Sequence, residues 1–565
     1  MADCTKKILI RGVNWIGDAV LTLPAVRAVR VAYPDAYISL LVKPWGSGIF
    51  EESPDINEII IYEDRFNTAA GKFKLAKILR AKKFDMAILL QNAFDAALVA
   101  WLSGIPARIG YGTDCRSLLL TKIVTVQRSA FSVQRKNGKK ITRLHQVYYY
   151  LNLLKEALNI EPCGIEPYIY LKKDEAYEAR NLLNSSFILH PSSLIIGINP
   201  GAAYGSAKRW VPKKFAGLIR RIIVELNGNV ILFGSKSELE ITDEIIRLVN
   251  GEQSAPGKKL TVNSPLPFSN PLRITHYASR ILNLAGKTSL RQLAALISEC
   301  DAFITNDSGP MHIASAMSVP LVAIFGSTDP NATGPLGARH KVISKELSCS
   351  PCLKRKCPEG HLNCMEAVNV DDVFNALTEV LPKERAVFLD RDGTIIEDAN
   401  YLNSFDRLKI LPDIPESLMK LKSAGFKLIG ITNQSGIARG IVSKKFVKES
   451  NAYLQKTLGI DAFYYCPHHP DDNCICRKPE TRLLRKARSE HGVNLKASYM
   501  IGDKPLDALA ARQAGAKGIL LLKGSEDSRG QVIKGSSTTA QDEETADYVA
   551  VNFKEAVKWI LEQKD

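Results

Sequence analysis

The sequence predicts an α/β chain of two Rossmann-like lobes followed by a third α/β domain, and three observations predict it. Short apolar runs alternate with helical patterns through the first third: KILIRG, YISLLV, EIIIY and MAILLQ. A second series begins near residue 195 with IIGINPG, NVILFGS, ILNLAG, AFITNDSG and LVAIFGS. A third begins at 386 with AVFLDRDG, KLIGITNQSG, ASYMIGDK and GILLLKG. Continuous Val/Ile/Leu runs ending in Gly, Asn or Ser are how strands buried on both faces of a parallel sheet read. A crossover helix pattern usually follows each run. The expected domains are residues 1–190, 191–382 with a cysteine-rich loop at 349–364, and 385–565 with a second cysteine loop at 466–476.

A length of 565 residues with 45% hydrophobic and 24% charged content is ordinary for soluble globular domains. Formal charge is +16, of which +12 lies before Arg385. An anionic partner such as phosphate groups or an acidic membrane surface is therefore expected. No basic–aromatic interleaving or nucleic-acid motif occurs, so nucleic acid is set aside. No apolar stretch approaches the ~18 residues of a membrane span. The opening MADCTKKILIRG passes straight into a strand, so no leader peptide is expected, and the chain reads as cytoplasmic. Seven of the 11 cysteines fall between 349 and 476, and in such a chain they read as thiols or metal ligands rather than disulfides. Segments 253–272 and 526–546 read as polar loops, and VDDVFNALTEVL as an amphipathic helix.

The third domain carries polar groups where strands should end: Asp390 and Asp392, Thr432 and Asn433, Lys478 after Arg477, and Asp503 and Asp507. Ligands of open α/β sheets bind at those ends. One carboxylate can attack phosphorus, and a second two residues on can protonate the leaving oxygen and later activate water. Asp503 would complete a Mg²⁺ site of hard oxygen ligands, while Thr432 and Lys478 would hold phosphoryl oxygens. DRDGT, TNQSG, RKP and GDKPLD, in this order, resemble the haloacid dehalogenase-like phosphatases over about residues 385–525. That resemblance implies Asp390 as nucleophile, Asp392 as general acid/base, and Mg²⁺ on Asp390, Asp503 and the backbone carbonyl of Asp392. Thr432, Asn433, Arg477 and Lys478 are the expected phosphate-binding group.

CPHHPDDNCICRKP supplies Cys466, His468, Cys474 and Cys476, a donor set suited to tetrahedral Zn²⁺. His469 is the rival imidazole. The metal would rigidify the loop that aims Lys478. This loop resembles the branch holding heptose 1,7-bisphosphate and histidinol-phosphate phosphatases, and it does not choose between them.

In the first lobe, RGVNWIGDAVLTLPA places Asp18 at a helix start, where an ordinary acid serves as a cap or dipole partner. NPGAAYGSAKRW offers exposed N–H groups with Lys208, a pyrophosphate cradle. TNDSGPMHIASAM opens a helix at Asp307, Ser308 and Gly309 with His312 on its first turn. With FGSTDP, these stretches resemble the ADP-heptose:lipopolysaccharide heptosyltransferases of glycosyltransferase family 9, a two-lobed GT-B family, over roughly residues 6–382. The resemblance, closest in kind to heptosyltransferase II, implies inverting, metal-independent transfer from ADP-heptose to the lipopolysaccharide inner core. It makes Asp18 the base, Lys208 the stabiliser of the departing diphosphate, Glu238 the ribose ligand, and Asp307, Ser308, Gly309 and His312 the diphosphate–sugar site. Arg11, Arg27 and Arg143 are candidate contacts to a phosphorylated acceptor, with peripheral contact at the inner membrane face. Cys349, Cys352, Cys357 and Cys364 have metal-like spacing, with His361 as a spare ligand and reduced thiols as the alternative. The combined expectation is a bifunctional heptosyltransferase and heptose bisphosphate phosphatase. The alternatives are a histidinol-phosphate phosphatase C-terminal half or a non-catalytic nucleotide-sugar-binding N-terminal half.

Overall fold

The computed structural model of the chain describes residues 6–125, 135–136, 139–140, 144–187, 194–251, 277, 279–472, 474, 476–522, 524–526, 532–534 and 544–563. Arg143, the segment 253–272 and most of 526–546 lie outside the described residues. Where 526–546 is described, it departs from the expected loop: Gly524–Glu526 pairs antiparallel with Val532–Lys534, whose Val532 and Ile533 favour extended backbone. The chain divides into two compact units, Met1–Leu381 and Pro382–Asp565.

The first unit holds two six-stranded parallel sheets. One contains β1 (Lys7–Arg11), β2 (Tyr37–Val42), β3 (Glu58–Ile61), β4 (Met86–Leu89), β5 (Ala107–Tyr111) and β6 (Lys122–Val124), in the order β3-β2-β1-β4-β5-β6. The other contains β7 (Ile195–Asn199), β8 (Asn229–Leu232), β9 (Ile281–Asn283), β10 (Ala302–Asn306), β11 (Leu321–Ile324) and β12 (His340–Ile343), in the order β9-β8-β7-β10-β11-β12. The second unit repeats the plan with β13 (Ala386–Leu389), β14 (Lys427–Asn433), β15 (Ala462–Cys466), β16 (Tyr499–Gly502), β17 (Lys517–Leu521) and β18 (Tyr548–Ala550), in the order β15-β14-β13-β16-β17-β18.

The first strand of each sheet lies at its centre and is apolar on both faces. Ile10 is flanked by Leu40 and Ile88, Ile198 by Leu232 and Ile304, and Leu389 by Gly430 and Ile501. Strand order reverses beside each central strand, leaving a crevice at the carboxyl ends where open sheets bind ligands. The loops after β7 and β10 flank one such crevice, and those after β13 and β16 flank another. In the first unit an apolar core runs from Ile8 and Val20 through Val147 to Phe303 and Met311, so the two lobes share packing. The helix Ile16–Ala32 packs on both Gln146–Leu158 of its own lobe and Gly309–Ala316 of the second. Among the described residues no helix is long and apolar enough to cross a membrane.

Candidate active sites

The transferase motifs converge. Asp18, Lys208, Glu238, Asp307, Ser308, Gly309 and His312 all line one cleft of about 1080 Å³ between the lobes of the first unit. Lys208 leaves a short 3₁₀ turn after β7, and its Nζ lies 2.5 Å from Oδ2 of Asp307, which follows β10. Thr328 donates a second hydrogen bond, 2.6 Å, to the same oxygen. The two loops are tied together beneath: Asn306 Nδ2 donates to the Pro200 carbonyl at 2.7 Å, and Trp210 N donates to Asn306 Oδ1 at 3.1 Å.

Asp18 sits in the first turn of its helix and is half-buried. Loss of hydration pushes its carboxyl up to about 6, with Lys208 pulling it down and Asp307 pushing it up. Gly17 is obligatory to this approach, because a Cβ there would lie 2.8 Å from Cδ2 of His312. Burial holds His312 down at about 4 against the upward pull of Asp307, with His145 and Lys208 adding to the lowering, so its ring is neutral at pH 7, and its Nδ1 has no hydrogen-bond partner. Glu238 accepts from both the Ser235 backbone N–H, 2.8 Å, and the Ser235 hydroxyl, 2.9 Å. Its Oε1 fills the space beside Gly201, where a Cβ would lie only 1.9 Å away.

Arg11 corrects an expectation. It is buried, its Nη1 donates to the carbonyls of Gly12 (2.9 Å) and Leu41 (3.0 Å), and its guanidinium lies over the Tyr62 ring. A strand-end arginine walled in this way closes the core and is not offered to an acceptor. Arg27 lies 3.9 Å from Asp55.

In the second unit, Asp390 follows β13 and Asp503 follows β16, on adjacent strands. With Asp507 they place three carboxylate oxygens within 4.8 Å of one another, all buried. Lys478 enters from the far side: its Nζ lies 2.6 Å from Asp390 Oδ1, 2.7 Å from Asp507 Oδ1, and donates to the Ile431 carbonyl at 2.6 Å. Burial lowers the Lys478 ammonium, but Asp390 and Asp507 outweigh it and hold it above the ordinary lysine value. Burial raises Asp507 to about 7 against the pull of Lys478. Three carboxylates facing one ammonium leave excess negative charge in a desolvated pocket, an arrangement that a divalent cation balances. Gly393, at φ +84°, makes room for the Asp503 carboxylate: a Cβ there would lie 2.5 Å from Asp503 Oδ2.

The Asp392 carboxylate stands outside this cluster. It accepts from Arg391 at 3.0 Å on each oxygen, from Gln434 Nε2 at 2.7 Å and from Thr432 Oγ1 at 3.4 Å. Asn433 lines the same pocket as Asp392, and its amide exchanges two hydrogen bonds with the Lys478 backbone, at 3.0 and 3.2 Å, so its side chain also positions Lys478. Arg477 lines the same pocket of about 220 Å³ as Asp390, Asp392, Thr432 and Lys478, and its Nη1 is buried without a hydrogen-bond partner. The sequence reading gave Asp507 no role and missed Gln434. Their only signals were a second acid four residues after Asp503 and a place inside TNQSG.

Cys466, His468, Cys474 and Cys476 also gather within 4.8 Å. The sulfurs of Cys466 and Cys474 are 3.3 Å apart, those of Cys474 and Cys476 3.7 Å, and His468 Nδ1 is 3.6 Å from Cys466 and 3.2 Å from Cys476. A disulfide needs ~2.05 Å, whereas these are edge lengths of a tetrahedron with arms of ~2.0–2.3 Å. His469 is directed instead at Asp471, 3.2 Å away. The β14–β15 register sets Asn433 beside Cys466, so the cysteine loop and the Lys478 loop share one anchor. Cys349, Cys352, Cys357 and Cys364 line a small cavity with His361, but they do not form such a tight group.

The glycosyltransferase family 9 (heptosyltransferase) model matches residues 72–261 and 272–363, and the haloacid dehalogenase-like hydrolase model matches 357–515. The chain is 29% identical over 382 residues to lipopolysaccharide heptosyltransferase 2 of Escherichia coli K12, covering 67% of this chain and 100% of that protein. It is 43% identical over 144 residues to D-glycero-beta-D-manno-heptose-1,7-bisphosphate 7-phosphatase of Helicobacter pylori, covering 24% of this chain and 83% of that protein. The solved structure of E. coli ADP-heptose lps heptosyltransferase II superposes with a TM-score of 0.52 at 28% identity, over 66% of this chain and 98% of that one.

Proposed function

We infer function from one premise: the chain belongs to glycosyltransferase family 9 across its first two lobes and to the haloacid dehalogenase-like hydrolases across its C-terminal domain. It is a bifunctional enzyme, a heptosyltransferase joined to a heptose bisphosphate phosphatase. One half moves heptose from ADP-heptose to the lipopolysaccharide inner core, and the other removes the C7 phosphate of heptose 1,7-bisphosphate. The β anomer is the substrate to expect, since the 43%-identical relative is named for it. The product of hydrolysis retains a C1 phosphate and needs nucleotide activation before the lobes can use it, so the two reactions are not consecutive. The charge of +12 before Arg385 supports peripheral contact with an anionic membrane face, where the acceptor is anchored.

In transfer, Asp18 takes the proton of the acceptor hydroxyl, whose oxygen bonds to the anomeric carbon as the bond to the diphosphate breaks, with inversion. Lys208 and the N–H groups opening the Gly309–Ala316 helix meet the charge that develops on the leaving diphosphate, so no metal is assigned there. Glu238 takes the ribose hydroxyls, and Ser308 and His312 flank the sugar. In hydrolysis, Asp390 attacks phosphorus and Asp392 protonates the departing C7 oxygen. Asp392 then takes a proton from the water that cleaves the aspartyl phosphate. Thr432 and Lys478 hold phosphoryl oxygens, and Arg477 reaches the second phosphate. Asp390, Asp503 and Asp507, with the Asp392 carbonyl, would hold Mg²⁺, which when bound neutralises charge on the phosphoryl group. Cys466, His468, Cys474 and Cys476 would hold a structural Zn²⁺, and Cys349, Cys352, Cys357 and Cys364 are read as reduced thiols.

One observation carries this reading: motif residues far apart in sequence meet at the carboxyl-end side of one sheet, Lys208 with Asp307 on loops after adjacent strands and Asp390 with Lys478 on loops after β13 and β15. The test is ADP release from ADP-heptose with inner-core acceptors, run beside phosphate release from heptose 1,7-bisphosphate and histidinol phosphate. Preference for histidinol phosphate, or no ADP release with any acceptor, overturns the corresponding half.

A further inference from the structure

The cysteine-rich loop does more than cover the second lobe. Its middle residue, Arg355, lines the transferase cleft together with Lys208 and Asp307. The loop is seated on the Lys208 turn by backbone contacts: Ala207 N donates to the Arg355 carbonyl at 3.2 Å, and Tyr204 Oη donates to the Leu353 carbonyl at 3.1 Å. Its other side is fixed where Leu353 N donates to the Ser327 carbonyl at 2.7 Å and Ser350 Oγ to the Gly326 carbonyl at 2.6 Å. Gly205 must lack a side chain for this seating, since a Cβ there would lie 2.2 Å from the Arg355 carbonyl oxygen.

The seating brings two cations to one ring. Lys208 Nζ stands 4.6 Å and the Arg355 guanidinium carbon 5.3 Å from the Tyr204 ring centre. Lys208 has Asp307, whereas among the described residues no acidic side chain lies within ion-pair distance of Arg355. Two like charges gathered on one ring at a cleft wall form a receptor for a further anion, and a guanidinium suits a phosphate fork.

We propose that Arg355 is a binding residue of the transferase site and grips the diphosphate of the nucleotide donor, the cysteine-rich loop being the arm that delivers it. This rests on the transferase reading above and adds to Lys208 a second cation on the leaving group.

The test compares ADP with adenosine by calorimetry on the full chain and on its Arg355→Ala and Arg355→Lys variants. Arg355 is exposed and its side chain is not part of the core, so the fold is kept, and phosphatase activity serves as the control. The expected result is ADP affinity about tenfold weaker in Arg355→Ala, the size of one charge-assisted contact. Adenosine affinity should be unchanged, and Arg355→Lys should recover part of the ADP affinity. Unchanged ADP affinity in Arg355→Ala, or equal loss for ADP and adenosine, overturns the inference. Failure of the unaltered chain to bind ADP at all overturns the transferase reading instead.

Discussion

Lys208 and Asp307, on loops that leave adjacent strands of the second lobe, meet at 2.5 Å in the transferase cleft. The pair holds the ammonium in place before any donor arrives, so the leaving diphosphate meets a preorganised charge and little reorganisation is needed. Lys208→Met should lower kcat for heptose transfer by ~10²–10³, the usual cost of one transition-state donor, while phosphate release from the bisphosphate stays unchanged. A variant that loses affinity for ADP-heptose but keeps its kcat would assign Lys208 to ground-state binding only.

Asp18 gives a pH signature. Its carboxyl is raised to about 6 by burial, with Lys208 as the group that pulls it down. A base works only when deprotonated, so kcat/KM for transfer should fall as pH drops through about 6 and be level above it. Removing the nearby positive charge disfavours the carboxylate, so the same limb should move to higher pH in Lys208→Met. Asp18→Asn should abolish transfer at every pH. An acid limb that stays put in Lys208→Met, or transfer surviving in Asp18→Asn, removes Asp18 from the role of base.

The central strands of all three sheets were legible because they are apolar on both faces: KILIR, IIGIN and AVFL have no other reading. The strands that went unnamed lie at or next to sheet edges: Ala107–Tyr111, Lys122–Val124, His340–Ile343, Ala462–Cys466 and Tyr548–Ala550. Edge strands are half exposed and interleave charges, as HKVI does, so their pattern fades. Site residues were legible where a motif itself forms the strand end, as with Asp390 and Asp503. Arg11 was misread because a strand-end arginine looks exposed until Tyr62 and Leu41 close over it. Arg355 left no sequence signal, because its place in the cleft comes from loop seating rather than from local pattern.

Asp507 is predicted to matter through Lys478 and the metal together. Its carboxylate is buried against both Asp503 and the lysine. Asp507→Asn keeps the shape and removes one negative charge from a cluster that attracts a divalent cation. Phosphatase activity titrated with Mg²⁺ should show half-saturation raised by about tenfold or more, the loss of one carboxylate's contribution. Heptose transfer should be untouched. Saturation at the wild-type magnesium concentration would place the ion away from Asp507.

The loop of Cys466, His468, Cys474 and Cys476 makes the last prediction. Cys476 immediately precedes Arg477 and Lys478, and Asn433 clasps the Lys478 backbone beside Cys466. A tetrahedral metal at Cys466, His468, Cys474 and Cys476 would fix the loop from one side while Asn433 fixes it from the other. Elemental analysis of the purified chain should find one zinc, and Cys476→Ser should lose it, because three remaining donors bind far more weakly. Phosphate release should then fall by at least about tenfold even at saturating Mg²⁺, since Lys478 is no longer held against Asp390 and small misplacements of a catalytic group cost ~10²-fold. Asn433→Ala should lower the same activity while keeping zinc, because it removes the other clasp and leaves the ligands intact. Zinc-free protein with full phosphatase activity would reduce the four ligands to bystanders and leave Asn433 as the clasp on the Lys478 backbone.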